Sequence, residues 1–334
     1  MPTSDNYASY PPSYRPSPGA AGPGPDAVSC TSAAAGLPVV DLKGLDQERL
    51  VEACEDWGIF RLVNHGIPRE LLSEVLELAN EFFSRGFEWK QALKRKAMFY
   101  FWGSPSLSQS GTSKQTGPFV ESQNWLEGLN FPLSESSSSL EYDLPLLQRF
   151  RSLLIEYGAH QTRLAQTLFN AMANHLAIPL AKSSSYLSPP TAFLRVYRYL
   201  RCPGADRRLG IMEHTDSSVL TILHQDHVGG LQVYRDHMWL DIDPVPDTLI
   251  VNLGDMMQAM SNDRYRSIKH RVRVSESQER ISVGYFVFPA EDAIIESSMY
   301  RPFTYTEFQD KKAADLKIVG DKVGLPRFRI HQYA

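Results

Sequence analysis

Apolar residues recur at helical spacing in the first half of the chain and at strand spacing in the second. Between 69 and 84, Leu71, Leu72, Val75, Leu76, Ala79, Phe82 and Phe83 fall on one helix face. A longer stripe from Pro145 to Ala177 carries Leu146, Leu147, Phe150, Leu153, Leu154, Tyr157, Leu164, Leu168 and Met172, with Pro145 in a first turn that needs no N–H from it. Its simplest role is core packing. Asp46 is placed to cap a shorter helix burying Leu50, Val51, Cys54 and Trp57, and Gly58 is placed to end it. An extended run at 37–42 precedes that helix; a strand at 59–63 and a turn at Asn64-His65-Gly66 follow it. From 192 to 289 the pattern shortens to strands at 193–200, 219–223, 231–234, 239–242, 248–252 and 280–288, separated by Gly, Asp, Asn and Pro turns. Helices followed by a block of short strands predict an α+β chain with a β-barrel or jelly roll.

Two segments lack either period. Residues 1–36 hold seven Pro, six Ser, four Gly and seven Ala with almost no larger aliphatic side chain, so they are expected to be disordered. Residues 103–139 are rich in Ser, Gly and Thr but carry Phe119, Trp125 and Phe131, which predicts a long ordered loop of the kind that lines sites. A net charge of -4, from 34 Lys+Arg against 38 Asp+Glu, suggests neither a nucleic-acid grip nor an acidic tail. No apolar run is long enough to span a bilayer, and the N-terminus reads as neither signal nor transit peptide, so a cytoplasmic and also nuclear location is expected. Cys30, Cys54 and Cys202 are far apart and expected to be free thiols.

The candidate chemistry starts at His214-Thr215-Asp216 and returns at His270. Residues two apart in a strand point the same way, so His214 and Asp216 can offer an imidazole and a carboxylate to one metal, with His270 as third ligand from a later strand. Two His and one carboxylate on one face of an ion leave open positions, the arrangement of non-haem Fe(II) oxygenases. The spacing alone is ambiguous. His224-Gln225-Asp226 repeats it, although a surface hairpin before Gly229-Gly230 accounts for that pair, and His214 with Asp216 could equally be a hydrogen-bonded pair at a strand start. Ten residues past His270, Arg280 and Ser282 share a strand face, and an Arg fork beside a hydroxyl suits a carboxylate; Tyr199 can add a phenolic hydrogen bond.

Several stretches together carry a resemblance: Leu37-Pro38-Val39-Val40-Asp41, Trp57-Gly58-Ile59-Phe60, Val63-Asn64-His65-Gly66-Ile67, Tyr199-Leu200-Arg201-Cys202-Pro203, His214-Thr215-Asp216, Gly229-Gly230-Leu231-Gln232-Val233, Asn252-Leu253-Gly254-Asp255, Ser267-Ile268-Lys269-His270-Arg271 and Arg280-Ile281-Ser282. Over roughly 37–330 the chain resembles the plant 2-oxoglutarate and Fe(II)-dependent dioxygenases. The resemblance implies a double-stranded β-helix (jelly-roll) core, with a helical N-terminal part at 37–185, the catalytic core at 186–300 and a C-terminal segment at 301–334, after the tail at 1–36 that composition marks as disordered. It implies His214, Asp216 and His270 as iron ligands and Arg280, Ser282 and Tyr199 as the holders of 2-oxoglutarate, with O2 as oxidant, ascorbate as a helpful reductant, and His65 as a structural turn residue. It also implies a monomer acting on a small molecule, without nucleic acid or membrane.

Phe101-Trp102-Gly103-Ser104-Pro105, Trp125-Leu126-Glu127 and Lys322-Val323-Gly324-Leu325-Pro326-Arg327-Phe328 are similar to gibberellin oxidases, particularly 2-oxidases of long-skeleton gibberellins. Phe101, Trp102, Phe119, Trp125 and Phe131 are then the expected substrate walls, and the expected activity is 2-beta-hydroxylation that inactivates the hormone. Phe101 stands where such enzymes often have Arg, and Tyr197 and Leu200 depart from the usual Asn and Pro. The same chemistry on another hormone or phenolic metabolite, a silent binding relative, and a zinc hydrolase remain as alternatives; the last has no use for Arg280 and Ser282.

Overall fold

A computed structural model describes residues 7–15, 36–95, 98–103, 124–134, 144–202 and 208–330. Strand β1 (Val39–Asp41) runs parallel to β2 (Ile59–Val63), and α1 (Gln47–Glu52) crosses between them. Asp46 caps α1 by accepting from the backbone N–H of Glu48 and Arg49 at 3.0 and 3.2 Å. The helix continues through a wide turn at Ala53–Trp57 and stops at Gly58, whose φ is +66°. A Cβ at that position would lie 2.1 Å from the Arg266 carbonyl oxygen, so sterics as well as conformation require glycine.

Helices α2 (Arg69–Phe83) and α3 (Phe87–Gln91) lead to β3 (Lys94–Arg95), β4 (Met98–Trp102) and β5 (Leu126–Pro132). The long α4 (Pro145–His175) and short α5 (Leu180–Tyr186) precede the strand-rich half. That half comprises β6 (Ser188–Tyr199), β7 (Leu209–His214), β8 (Leu220–Gln225), β9 (Leu231–Arg235), β10 (Met238–Asp241), β11 (Leu249–Leu253), α6 (Asp255–Met260), β12 (His270–Arg273) and β13 (Arg280–Phe288). A two-stranded ribbon of β14 (Ile294–Ile295) and β15 (Phe303–Thr304) and the helix α7 (Tyr305–Ile318) close the described chain.

The strands form a nine-stranded sheet, ordered β1-β2-β11-β8-β13-β6-β5-β4-β3, and a four-stranded sheet, ordered β10-β9-β12-β7. Period-two alternation splits the larger sheet between two cores. Phe60, Leu129, Phe131, Leu194, Val196, Ile222, Val283 and Tyr285 face outward and pack with α2 and α4. Ile59, Phe101, Leu126, Tyr197, Tyr199 and Ile250 face inward, against Leu231, Val233, Leu240 and Val272 of the smaller sheet. Each fully buried Leu, Val, Ile or Phe contributes about 1.5–3 kcal/mol. The helices therefore hold one face of the larger sheet and leave its inner face to the site. This is the expected α+β jelly roll.

Two sequence expectations are corrected. Residues 7–15 are not disordered: Tyr10 and Tyr14 are 2% and 3% exposed, and Tyr14 packs 4.3 Å from Trp125 and 5.6 Å from Trp102. Composition hid this because three aromatic anchors suffice to hold a short segment on a ready-made surface. Within 103–139 the expected loop contains β5, which pairs with β4 and β6; residues 104–123 and 135–143 lie outside the described chain, as do 1–6 and 16–35.

Candidate metal centre

His214 ends β7 and His270 begins β12, and the two are direct partners in the antiparallel register. Their rings lie 4.3 Å apart between centroids. Each Nδ1 faces a backbone carbonyl two residues back, Met212 at 2.8 Å and Ile268 at 3.1 Å. That contact places the proton on Nδ1 and leaves both Nε2 lone pairs free for a metal. Asp216 lies just beyond the strand end, in the turn to β8, so its alignment with His214 does not come from strand alternation. Thr221 and Asn252 set it instead. These two are register partners on β8 and β11, and both donate to Asp216 Oδ2 at 2.7 Å. The other oxygen, Oδ1, is thereby turned to the imidazoles, 3.7 Å from His214 Nε2 and 3.9 Å from His270 Nε2.

The three ligand atoms lie within 4.8 Å of one another, the spacing of donors around a single ion. Burial and the neighbouring His270 push the His214 pKa down, which favours the neutral, ligating imidazole. Burial acts to raise Asp216, but His270, His214 and the two donors outweigh it and hold the carboxyl near about 2. Lys322 fixes the turn from behind: its Nζ donates to the Thr215 carbonyl and hydroxyl oxygens at 2.5 and 2.7 Å and pairs with Asp255 at 2.7 Å.

A second polar site is built on the same inner face. Arg280 of β13 pairs in register with Tyr199 of β6, and its guanidinium lies 4.6 Å from the Tyr199 ring centroid. Nη1 donates to Ser282 Oγ at 3.3 Å and Nη2 to Gln225 Oε1 at 2.7 Å. Arg280 is 2% exposed, its Nε has no partner, and no carboxylate pairs with it among the described residues. A buried guanidinium in that state is a costly arrangement that an acidic ligand relieves. Tyr199 is pushed up to about 12 by burial, so its hydroxyl keeps its proton to donate. The residues therefore fit both a facial metal and a carboxylate cosubstrate.

The rival pair does not meet a metal. His224 sits on the opposite face of β8 from Thr221 and Gln225, buried beside the Tyr157 ring at 6.3 Å, and burial pushes it down to about 4. It is a core residue, not part of a surface hairpin. Asp226 is a turn residue that accepts from the N–H of Val228 and Ile281 at 3.0 and 2.5 Å. His65 accepts from the Ile67 N–H at 3.2 Å within its turn.

Among the expected aromatic walls, Phe101 faces inward, its ring 6.2 Å from that of Tyr197 and laid over Gly128, where a Cβ would come within 2.4 Å. Phe131 is turned to the helices on the outer face and does not wall the site. Trp102 and Trp125 pack on Tyr14, and Trp125 also carries the Arg208 guanidinium at 4.5 Å. Phe119 lies outside the described residues. Thr221, Gln225 and Lys322 gave no chemical signal in the sequence, because their roles depend on which strands become neighbours.

Residues 190–289 match the 2OG-Fe(II) oxygenase superfamily, and residues 37–145 match the N-terminal region described as non-haem dioxygenase in morphine synthesis. Gibberellin 2-beta-dioxygenase 6 of Oryza sativa subsp. japonica is 35% identical over 88% of this chain and 85% of its own length. The chain belongs to the 2OG-Fe(II) oxygenase superfamily. It is also 31% identical to Protein DMR6-LIKE OXYGENASE 2 of Arabidopsis thaliana, over 82% of each chain. A crystal structure of JOX2 in complex with 2OG, Fe and JA superposes with a TM-score of 0.68 at 29% identity, over 82% of this chain and 83% of that one. The protein is thus an Fe(II)- and 2-oxoglutarate-dependent dioxygenase, an oxidoreductase using O2. No helix among the described residues is long and apolar enough to cross a membrane.

Proposed function

We propose that this dioxygenase 2-beta-hydroxylates a gibberellin, with His214, Asp216 and His270 holding the iron and Arg280, Ser282 and Tyr199 holding the distal carboxylate of 2-oxoglutarate. The ligand assignment rests on one observation: two Nε2 atoms and one Oδ1 converge while every other polar atom of those side chains is already bonded. The cosubstrate assignment rests on the buried Arg280, whose Nε has no partner and which meets no carboxylate among the described residues. The substrate assignment rests on similarity to gibberellin 2-beta-dioxygenases across most of the chain.

Bound iron and 2-oxoglutarate supply O2 activation coupled to release of succinate and CO2. The chain supplies position. Thr221 and Asn252 hold Asp216 to one orientation, the carbonyls of Met212 and Ile268 hold both imidazoles to one tautomer, and Arg280 fixes the cosubstrate's far end.

The test is incubation of the iron-loaded protein with 2-oxoglutarate, O2 and long- or short-skeleton gibberellins, followed by mass spectrometry. A product one oxygen heavier, formed in step with succinate, is expected. Hydroxylation of another hormone or a phenolic acid with no reaction on either gibberellin would end the substrate assignment and leave the dioxygenase intact.

A further inference from the structure

His214 reaches the metal position from a strand that is not regular. Among the described residues, β7 is the last strand of the smaller sheet and pairs with β12 alone. Its register slips twice along that pairing. Between the His214–His270 and Ile211–Val272 pairs, β7 advances three residues while β12 advances two, so Met212 and Glu213 together face Arg271. Between the Ile211–Val272 and Leu209–Arg273 pairs, Gly210 is the extra residue. Such bulges bend a strand, re-aim its side chains and take backbone groups out of the ladder. Each of these meets a residue of the site. Gly210 lies under the Tyr199 ring, where a Cβ would come within 2.4 Å of Cδ1. Met212 gives its carbonyl to His214 Nδ1 at 2.8 Å.

What holds the Met212 bulge comes from outside the sheet. The Met212 N–H donates to Asn124 Oδ1 at 2.8 Å, and the Trp125 N–H donates to the Leu209 carbonyl at 3.0 Å, so the two residues before β5 stitch the outer edge of β7 at two points. A backbone N–H requires an acceptor, which fixes the amide oxygen of Asn124 towards Met212. The Asn124 carbonyl in turn accepts from the Tyr14 hydroxyl at 2.8 Å and the Leu126 N–H at 3.1 Å. Tyr14 is 3% exposed and seated against Trp102 and Trp125. The segment that carries it is pinned by Lys90 and Arg198, which donate to the Ser9 carbonyl and hydroxyl oxygens at 2.8 and 3.2 Å. An unbroken run of bonds therefore leads from Tyr14 through Asn124 and Met212 to His214. Met212 is 43% exposed, so water can replace the Asn124 bond but not its direction.

We propose that Asn124 and Tyr14 are positioning residues for the iron ligand His214, the N-terminal segment 7–15 serving as a brace on the bulged strand. The proposal is independent of the substrate reading and rests on the metal assignment alone. Neither residue touches the metal position. Asn124 holds the N–H side of Met212, the carbonyl side of Met212 sets the tautomer and direction of the His214 ring, and Tyr14 holds the backbone of Asn124 in place. Partners beyond a ligating imidazole tune metal affinity in this way, by fixing where the free nitrogen points.

The test reads the metal rather than turnover. Full-length protein is titrated anaerobically with Fe(II), and in parallel with Co(II), whose visible absorption reports the geometry of its ligands. Asn124→Ala is expected to raise the Fe(II) dissociation constant by roughly tenfold, the low end of what loss of an outer partner costs, and to alter the Co(II) spectrum. Asn124→Asp keeps an oxygen for the Met212 N–H and should stay close to wild type. Tyr14→Phe keeps the ring in its socket and removes only the hydroxyl; it should weaken Fe(II) in the same direction, and adding it to Asn124→Ala should cost nothing more. Phe150→Leu, in the helix-packed core, should lower the unfolding midpoint and leave both metal readouts unchanged, which separates positioning from a general loss of stability. Wild-type Fe(II) affinity in Asn124→Ala, with iron lost in His214→Ala, overturns the brace and leaves the metal centre standing. A loss in Asn124→Asp as large as in Asn124→Ala also overturns it. If Asn124→Ala does not fold, Tyr14→Phe decides, and unchanged Fe(II) binding there overturns the proposal. Iron kept by His214→Ala overturns the brace and the metal assignment together.

Discussion

Asp216 has two oxygens with separate surroundings, and that division orients the oxygen offered to the proposed iron. Thr221 and Asn252 occupy Oδ2, so Oδ1 is the atom left to face His214 and His270. Thr221→Val and Asn252→Ala are therefore expected to lower Fe(II) affinity by about 10–100-fold without touching a ligand, as removal of outer partners does at other metal sites; anaerobic Fe(II) titration reads the change. Arg280→Ala should raise the Michaelis constant for 2-oxoglutarate far more than that for the prime substrate. Arg280→Lys should recover only part of the loss, because an ammonium cannot serve Ser282, Gln225 and an acid from one plane. Equal effects on both constants would contradict the cosubstrate role. At this scale residue spacing showed the right residue types but not their choice, which only the family resemblance made. His214-x-Asp216 and His224-x-Asp226 have the same spacing, and only strand facing separates them: His224 is turned to Tyr157 and the helices, on the far side of the sheet from the metal.

The elements with a clean period were legible: α2, α4, β6, β11 and β13 lie where the apolar pattern put them. Those read as irregular were legible only in part. β5 is interrupted by Glu127, Gly128 and Asn130, yet it is a strand because each has a tertiary reason to be there. Glu127 meets Lys90 and Arg198, Gly128 makes room for the Phe101 ring, and Asn130 accepts from Arg195. Such reasons are invisible to periodicity. The same network explains the N-terminal segment, since Lys90 Nζ donates to the Ser9 carbonyl and the Tyr10 hydroxyl bonds Glu279. Glu127→Ala leaves two buried cations short of a partner and should cost about 3–5 kcal/mol of stability. Tyr14→Ala empties an aromatic socket between Trp102 and Trp125, with an expected loss of about 3 kcal/mol. Urea denaturation measures both, and a shift below about 0.5 kcal/mol, the scale of ordinary surface substitutions, for either would show that segment to be a passive surface feature.

Across the whole molecule, the helices are gathered on one face of the larger sheet, and the smaller sheet covers the other. The polar chemistry occupies the gap between sheets, a placement on which composition and charge alone said nothing. Chain ends contribute from a distance: Lys322 braces the turn that carries Asp216, a contact spanning 107 residues that no local pattern announces. Lys322→Ala should therefore loosen the metal site, seen as weaker Fe(II) binding, and should also lower the unfolding midpoint, because it leaves the buried Asp255 without its cation. The most direct measurement is Fe(II) stoichiometry by metal analysis after anaerobic loading and dialysis, on the wild type, His270→Ala and His224→Ala. About one iron per chain is expected for the wild type and His224→Ala, with near-complete loss in His270→Ala, as a facial triad requires. Iron retained by His270→Ala and lost by His224→Ala would contradict the metal centre described.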